Sequence, residues 1–98
     1  MAGIVRLGDA STGHAHCYPS TTAISGSPNV KVNGKPVVRV GDSWATHGAC
    51  KDHSPHSGTS SGGSSTVFCN GMPICRSGDP ISCGDTMSEC SSNVFAGG

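Results

Sequence analysis

The hydrophobic positions of this chain follow a short alternating pattern that occurs twice in full. In residues 29–42, valines alternate with polar residues up to Asn33-Gly34, and a second β-branched run follows. Residues 66–79 repeat this arrangement around Asn70-Gly71. Asn-Gly between β-branched runs is a strong hairpin signal, because both residues tolerate positive φ. The pattern predicts two β-hairpins, and Lys35-Pro36 directly after the first Asn-Gly favours a slightly longer loop or a bulge.

The two ends of the chain each carry half of a third copy of the pattern. Residues 4–9 match its second half, and residues 93–98 match its first half. A repeat divided in this way is complete only if the two ends of the chain meet in space. We therefore predict a pseudo-threefold domain over residues 1–98, in which the two half-repeats together form the third hairpin.

The composition favours short strands and turns over helices. Glycine supplies 15 of the 98 residues, and only 34% of the chain is hydrophobic. Because glycine costs about 1 kcal/mol per helical position relative to alanine, long helices are disfavoured. A chain of this size buries a small core, and disulfides or a metal ion are the usual supplements. We therefore expect an all-β fold with an additional staple.

Charge and hydropathy exclude several classes of partner. The formal net charge is zero and no basic stripe is present, so we expect no nucleic-acid partner. The apolar runs are too short to span a membrane, and the N-terminus lacks the apolar segment of a signal peptide. We expect the protein to be made in the cytoplasm without a signal peptide, where its six cysteines are more often thiols or ligands than disulfides.

Two of the cysteines occupy strand positions of the repeat. Cys69 aligns with Val32, and Cys75 aligns with Val38. A cysteine in place of a strand valine is most simply a small buried hydrophobic residue. The cysteines left for chemistry are then Cys17, Cys50, Cys83 and Cys90.

Three linkers join the hairpins, and they contain candidate metal ligands at matched positions. The linkers comprise residues 10–27, 43–65 and 80–92. His14 and His47 each lie five residues after the aspartate of a repeat, and Cys83 lies four residues after the third such aspartate. Pseudo-threefold symmetry brings these linkers toward one axis. Imidazole and thiolate groups that converge in this way are typical zinc ligands, although the residues alone leave zinc and iron both open.

A fourth ligand is available in the second linker. His53 is favoured because its tether back to His47 is short, and His56 is the alternative. The neighbours of His14, namely His16 and Cys17, are further candidates, and Cys50 and Cys90 could either pair or remain free thiols. Four protein ligands would fill the zinc shell, which is typical of a structural site. The predicted ligand set is His14, His47, His53 and Cys83.

Residues 36–42 and 73–79 resemble the Pro-Ala-Ala-Arg motif of the PAAR-repeat family. Here Val-Val and Ile-Cys replace the Ala-Ala pair. Residues 12–14, the histidine-rich second linker and residues 81–84 also look like this family, so the resemblance covers essentially the whole chain. It implies a single PAAR-like domain over residues 1–98: a small β-rich cone with a structural zinc near its apex, held by three histidines and a cysteine.

The same resemblance implies a mechanical function rather than an enzymatic one. PAAR-repeat proteins cap trimeric β-helical spikes, either VgrG-like spikes of type VI secretion systems or the tail spikes of contractile phages. The expectation is one copy per trimer, assembled at the spike tip, which pierces the target membrane and contacts it transiently. A cap of matching threefold shape would also cover the exposed strand edges of the spike. We expect Val30, Val67 and Val94, with their neighbours, to face the spike.

Two other functions fit parts of the sequence. A zinc hydrolase would use His14, His47 and Cys83 with a water molecule, but so small a chain has little material for a substrate pocket. A disulfide-rich secreted binding module fits the number of cysteines. The missing signal peptide and the two cysteines at valine positions argue against that module.

Overall fold

The computed structural model describes residues 2–13, 18–48 and 56–97 of the chain. Within these ranges there are eight short β-strands and no helix, so none that could cross a membrane. The predicted all-β class is therefore confirmed. The strands are β1 (Ala2–Gly3), β2 (Lys31–Val32), β3 (Lys35–Pro36), β4 (Ser43–His47), β5 (His56–Thr59), β6 (Phe68–Cys69), β7 (Met72–Pro73) and β8 (Phe95–Ala96).

The two Asn-Gly pairs close β-hairpins, as the sequence predicts. Strand β2 pairs with β3, and β6 pairs with β7, both antiparallel. Asn33 and Asn70 both have φ 54°, and the glycines after them have φ of 79° and 80°. Two successive residues with positive φ match the twist of the flanking strands in a two-residue turn. The expected longer loop or bulge is wrong, because Val32 pairs directly with Lys35 across the turn.

The third hairpin is assembled from the two ends of the chain. Strand β1 pairs antiparallel with β8, so that Ala2 lies opposite Ala96 and Gly3 lies opposite Phe95. The half-repeats therefore meet in space, as the split pattern requires.

A ring of three strand segments joins the hairpins. The backbone N–H of Val5 donates to Cys75, that of Cys75 donates to Val38, and that of Val38 donates to Val5, each at 3.0 Å. The cycle closes on itself, which places a pseudo-threefold axis through the centre of the ring. Their side chains have no solvent exposure. The ring is therefore both the hydrogen-bonded centre of the fold and the middle of its core.

Each segment of the ring ends in a turn built on an Arg-x-Gly-Asp sequence. In these turns Asp9, Asp42 and Asp79 each accept the backbone N–H of the arginine three residues earlier, at 2.7–2.8 Å. The same carboxylates bind the arginine side chains at 2.8–3.0 Å. Each guanidinium also reaches the turn of the next hairpin around the axis, where the acceptors are Asn33, Asn70 and the backbone oxygen of Gly97.

Apolar side chains pack on both sides of the ring. Because successive residues of a strand point to opposite faces, Ile4 and Val5 enter different clusters, as their counterparts do in the other repeats. The cluster on the hairpin side contains Cys69, and the cluster on the linker side contains Cys75. Both cysteines are buried hydrophobic residues, as predicted. Burial raises the pKa of the Cys75 thiol to about 12, so this thiol is not reactive at neutral pH.

The linkers pair with one another and form the other half of the molecule. Isolated bridges join Ala23 to Trp44, Ser60 to Ile81, and Met87 to Ser11, so each linker contacts the next around the axis. In the second linker, β4 and β5 form a longer antiparallel pair. The molecule measures 39 × 24 × 20 Å, an elongated shape consistent with a small β cone. We call the two halves the hairpin end and the linker end.

Candidate functional site

His47 lies at the linker end, as the last residue of β4, and its ring is oriented by the backbone. The side chain is buried, and Nδ1 lies 2.7 Å from the carbonyl oxygen of Pro19. Since a carbonyl oxygen only accepts, Nδ1 donates its hydrogen to Pro19, and Nε2 is the ring nitrogen on the side of Cys83. The ring of Tyr18 packs beside it, with centroids 5.4 Å apart. A fixed tautomer with a backbone acceptor is the usual state of a metal-binding imidazole.

Cys83 occupies the tight turn of the third linker and faces His47. The N–H of Gly84 donates to Ile81 at 3.0 Å, which closes the turn, and Gly84 has φ 101°. The Sγ atom of Cys83 is 3.8 Å from Nε2 of His47. With zinc bonds of about 2.3 Å to sulfur and about 2.0 Å to nitrogen, two ligands of one tetrahedral ion are about 3.5 Å apart. The pair therefore fits a shared metal ion.

The close approach of Cys83 depends on a glycine in the neighbouring strand. Gly58 in β5 pairs with Trp44 in β4. A Cβ atom at position 58 would lie 3.1 Å from Sγ of Cys83 and 2.9 Å from a methyl carbon of Ile81. Any larger residue would push the Cys83 turn away from β4. Gly58 is thus part of the reason that the thiol and the imidazole meet.

The remaining predicted ligands fall outside the described residues. These are His14 and His53, together with the alternatives His16 and Cys17. The backbone of His56, the other alternative, pairs with that of His47 at the start of β5. The described residues contain no group of three or more His, Cys, Asp or Glu side chains placed to hold a metal ion, and half of the predicted set lies beyond them. The four-ligand site therefore stays a prediction.

The hairpin end carries most of the exposed large apolar side chains in the described part of the chain. Phe68 is 57% exposed, Phe95 is 49% exposed and Val30 is 39% exposed. Val67 and Val94 are half-buried against the hairpin-side cluster. The two phenylalanines were missed by the sequence analysis. Alternation in the hairpins could have found them, because Val67 and Cys69 point inward and Phe68 must then point outward.

The described cysteines do not form disulfides. Cys69, Cys75, Cys83 and Cys90 are free thiols, while Cys17 and Cys50 lie outside the described residues. A framework that pairs all six cysteines is therefore absent, and the disulfide-rich binding module loses its main support.

Comparison with known proteins finds one family whose model matches part of the chain. A family model for the PAAR motif matches residues 51–98. A comparison with curated proteins gives no match. The matched range contains the second full repeat and the C-terminal half-repeat. Residues 4–42, before the match, carry the same ring segments and the same Arg-x-Gly-Asp turns. Since one repeating structure runs through both halves, the match supports a PAAR-repeat protein.

Proposed function

We propose that this protein caps and sharpens a trimeric β-helical spike, as the structural tip of a type VI secretion system or of a contractile phage tail. The family match supports a structural role at a spike tip. The observation that carries the proposal is the closed ring of Val5, Val38 and Cys75, which sets three similar hairpins around one axis. A surface with this symmetry can offer one hairpin to each subunit of a homotrimer.

The hairpin end is the part of the molecule suited to the spike. Its exposed Phe68, Phe95 and Val30 lie on three hairpins related by the axis. Without a partner, this apolar surface would contact water. The end of a β-helix offers unpaired strand edges and an apolar cross-section. Contact between these two surfaces would cover both. We therefore assign the partner as a VgrG-like spike or a phage tail spike, with one tip per trimer.

The linker end forms the point of the tip, and we propose that it holds a structural zinc ion. His14, His47, His53 and Cys83 would be its ligands, with the Nδ1 hydrogen bond of His47 fixing one ring in place. When bound, the ion would join the three linkers in addition to the apolar contacts that Trp44, Ile81 and Met87 already make. The tip would then cross the target envelope as a rigid body, after assembly from protein made in the cytoplasm.

Native mass spectrometry of the protein co-expressed with its trimeric spike tests the proposal. We expect one copy of this chain per spike trimer and one zinc ion per copy, with the metal identified by elemental analysis. Three copies per trimer would contradict the proposal, because each hairpin would then not be needed for a subunit of its own. A tip that loads another metal in place of zinc would correct the identity of the ion and leave the capping role intact.

A further inference from the structure

The linker end buries a carboxylate that the sequence analysis did not assign. Asp85 is 2% exposed, and both of its oxygens accept hydrogen bonds. Its Oδ2 accepts from Ser11 Oγ at 2.5 Å. Its Oδ1 accepts from Thr12 Oγ1 at 3.0 Å and from the backbone N–H of Thr86 at 2.7 Å. The Asp85 carboxylate therefore accepts three hydrogen bonds, and none of the three donors carries a positive charge.

The other aspartates in the described part of the chain are different. Asp9, Asp42 and Asp79 each bind an arginine three residues earlier. Burial of a carboxylate without a cation is costly even when it accepts hydrogen bonds. The N–H groups of Ala23, Ser60 and Met87 donate to the backbone oxygens of the three repeat aspartates, so these residues are equivalent. Two positions before them lie Thr21, Gly58 and Asp85, so the repeat itself does not require an acid here. Asp85 therefore needs an explanation specific to the third linker.

The position of Asp85 supplies that explanation. It lies two residues after Cys83, and its donors Ser11 and Thr12 lie two or three residues before His14. The backbone N–H of Thr12 also donates to Thr86 at 2.9 Å. One side chain thus holds together the two linkers that carry the predicted thiolate and one of the predicted imidazoles.

We propose that Asp85 is a positioning residue for the metal centre and supplies a compensating negative charge beside it. This inference rests on the proposed structural zinc. A divalent cation with three neutral imidazoles and one thiolate keeps a net positive charge, and a nearby buried carboxylate is stabilised by it. The carboxylate in turn orients the linkers that bring the ligands together, as outer-shell partners do at metal sites.

The test compares Asp85→Asn with wild type in both metal-loaded and metal-free states. Competition titration with a chromophoric chelator should show zinc affinity lower by about 10- to 100-fold in the variant. The melting temperature of the metal-loaded protein should fall by more than that of the metal-free protein, because only the loaded protein contains the charge that the carboxylate compensates. Cobalt substitution should give the same thiolate-to-cobalt absorption band, since Asp85 is not itself a ligand.

The matched control is Asp79→Asn, which removes a carboxylate that is paired with Arg76 at the ring. It should lower the melting temperature of both states alike and leave zinc affinity within about twofold. If Asp85→Asn behaved in the same way as this control, Asp85 would be only a structural hydrogen-bond acceptor and the inference would be overturned.

A milder variant keeps the test usable if Asp85→Asn does not fold. Thr12→Val removes one donor to Oδ1 from an exposed position and preserves the shape of the side chain. We expect a several-fold loss of zinc affinity from it, and unchanged affinity would overturn the inference. Wild-type protein that bound no metal at all would instead contradict the proposed centre itself, so the two failures are distinguishable.

Discussion

The hairpin end and the linker end of this protein differ in how strictly the repeat is kept. At the hairpin end, three buried serines precede the hairpins, and each hydroxyl accepts the N–H of a valine three residues later at 2.9–3.0 Å. The valines are Val30, Val67 and Val94. At the linker end, positions that are equivalent in the three linkers hold different residues, such as Thr21, Gly58 and Asp85. The repeat thus maintains the scaffold and the threefold surface, and the linker end is where its residues vary most.

One departure inside the scaffold shows how tightly the hairpin end is packed. In the first repeat Gly26 faces Pro36, and in the second Gly63 faces Pro73. In the third repeat the larger and the smaller residue change places: Cys90 stands at the glycine position, and Gly3 stands at the proline position. Two large residues do not fit together at this contact. The exchange is a compensating change between the two ends of the chain.

The largest expected effect comes from breaking the linker end. Cys83→Ser removes the only cysteine of the predicted ligand set, and we expect loss of the metal. If the ion contributes about 3 kcal/mol or more, at about 4–8 °C per kcal/mol the melting temperature should fall by about 12–24 °C or further. Elemental analysis and thermal unfolding measure both effects.

Cys90→Ser is the matched control for this prediction, because Cys90 is a half-buried free thiol outside the predicted ligand set. It should retain one metal ion per chain. Full metal occupancy and an unchanged melting temperature in Cys83→Ser would show that Cys83 is not a ligand.

The second prediction disturbs the packing at the hairpin end without changing any predicted metal ligand. In Gly3→Ala the new Cβ would clash with the backbone oxygen of Ser91 and lie 2.5 Å from Sγ of Cys90. Overpacking of this kind costs about 1–3 kcal/mol, which chemical denaturation measures. Cys90→Gly in the same chain should recover part of that loss, since it restores space as Gly26 does beside Pro36. Simple additivity of the two changes would contradict the exchange described above.

Much of the hairpin end was predictable from the sequence because its signals are local and repeated. Asn-Gly turns and Arg-x-Gly-Asp turns each recur, so a structure predicted from one copy is supported by the same sequence in the next. The longer loop or bulge expected from Lys35-Pro36 after Asn33-Gly34 is wrong, because Pro36 pairs in β3 without needing an N–H. Val37 donates to Val30 at 3.1 Å, which places Pro36 opposite Lys31 at a pair that requires no N–H from it.

The linker end was less predictable because its residues are joined across the axis rather than along the chain. The matched spacing of His47 and Cys83 was visible, and the two side chains lie 3.8 Å apart. No pattern pointed to Asp85, since its partners Ser11 and Thr12 are more than seventy residues away in sequence. Internal repeats therefore identify residues that occupy equivalent positions, such as His47 and Cys83. The role of a residue without an equivalent, such as Asp85, becomes visible only from its contacts in the structure.

The third prediction tests whether the hairpin end is the docking surface. Phe68→Glu places a charge on an exposed side chain, so the fold should be retained while affinity for the spike falls by about tenfold or more. Ile24→Glu is the matched control, because Ile24 is 58% exposed but lies outside the hairpins. Val67→Glu is less suitable, since Val67 also packs on the hairpin-side cluster. Equal loss of affinity in the Phe68 and Ile24 variants would argue against the hairpin end.

The smallest expected effect concerns acid stability and the turns that both ends share. Burial alone would raise the pKa of Asp42, but hydrogen bonds from the side chain and backbone of Arg39 hold that pKa below its ordinary value. The folded state therefore binds this proton less readily than the unfolded state. The resulting stabilisation is fully present above the unfolded pKa, about 3.9 for an aspartate, and is lost as pH falls through the folded value.

Urea unfolding between pH 6 and pH 2 measures this contribution. The free energy of unfolding should decline more steeply below about pH 4 in wild type than in Asp42→Asn, which lacks the titrating group. Glu89→Gln is the control, because Glu89 is exposed and its side chain accepts the backbone N–H of Ala10. Its profile should follow that of wild type. If the free energy of unfolding of Asp42→Asn declined as steeply as that of wild type, the acid sensitivity would arise elsewhere. The linker end would then be the next part to test.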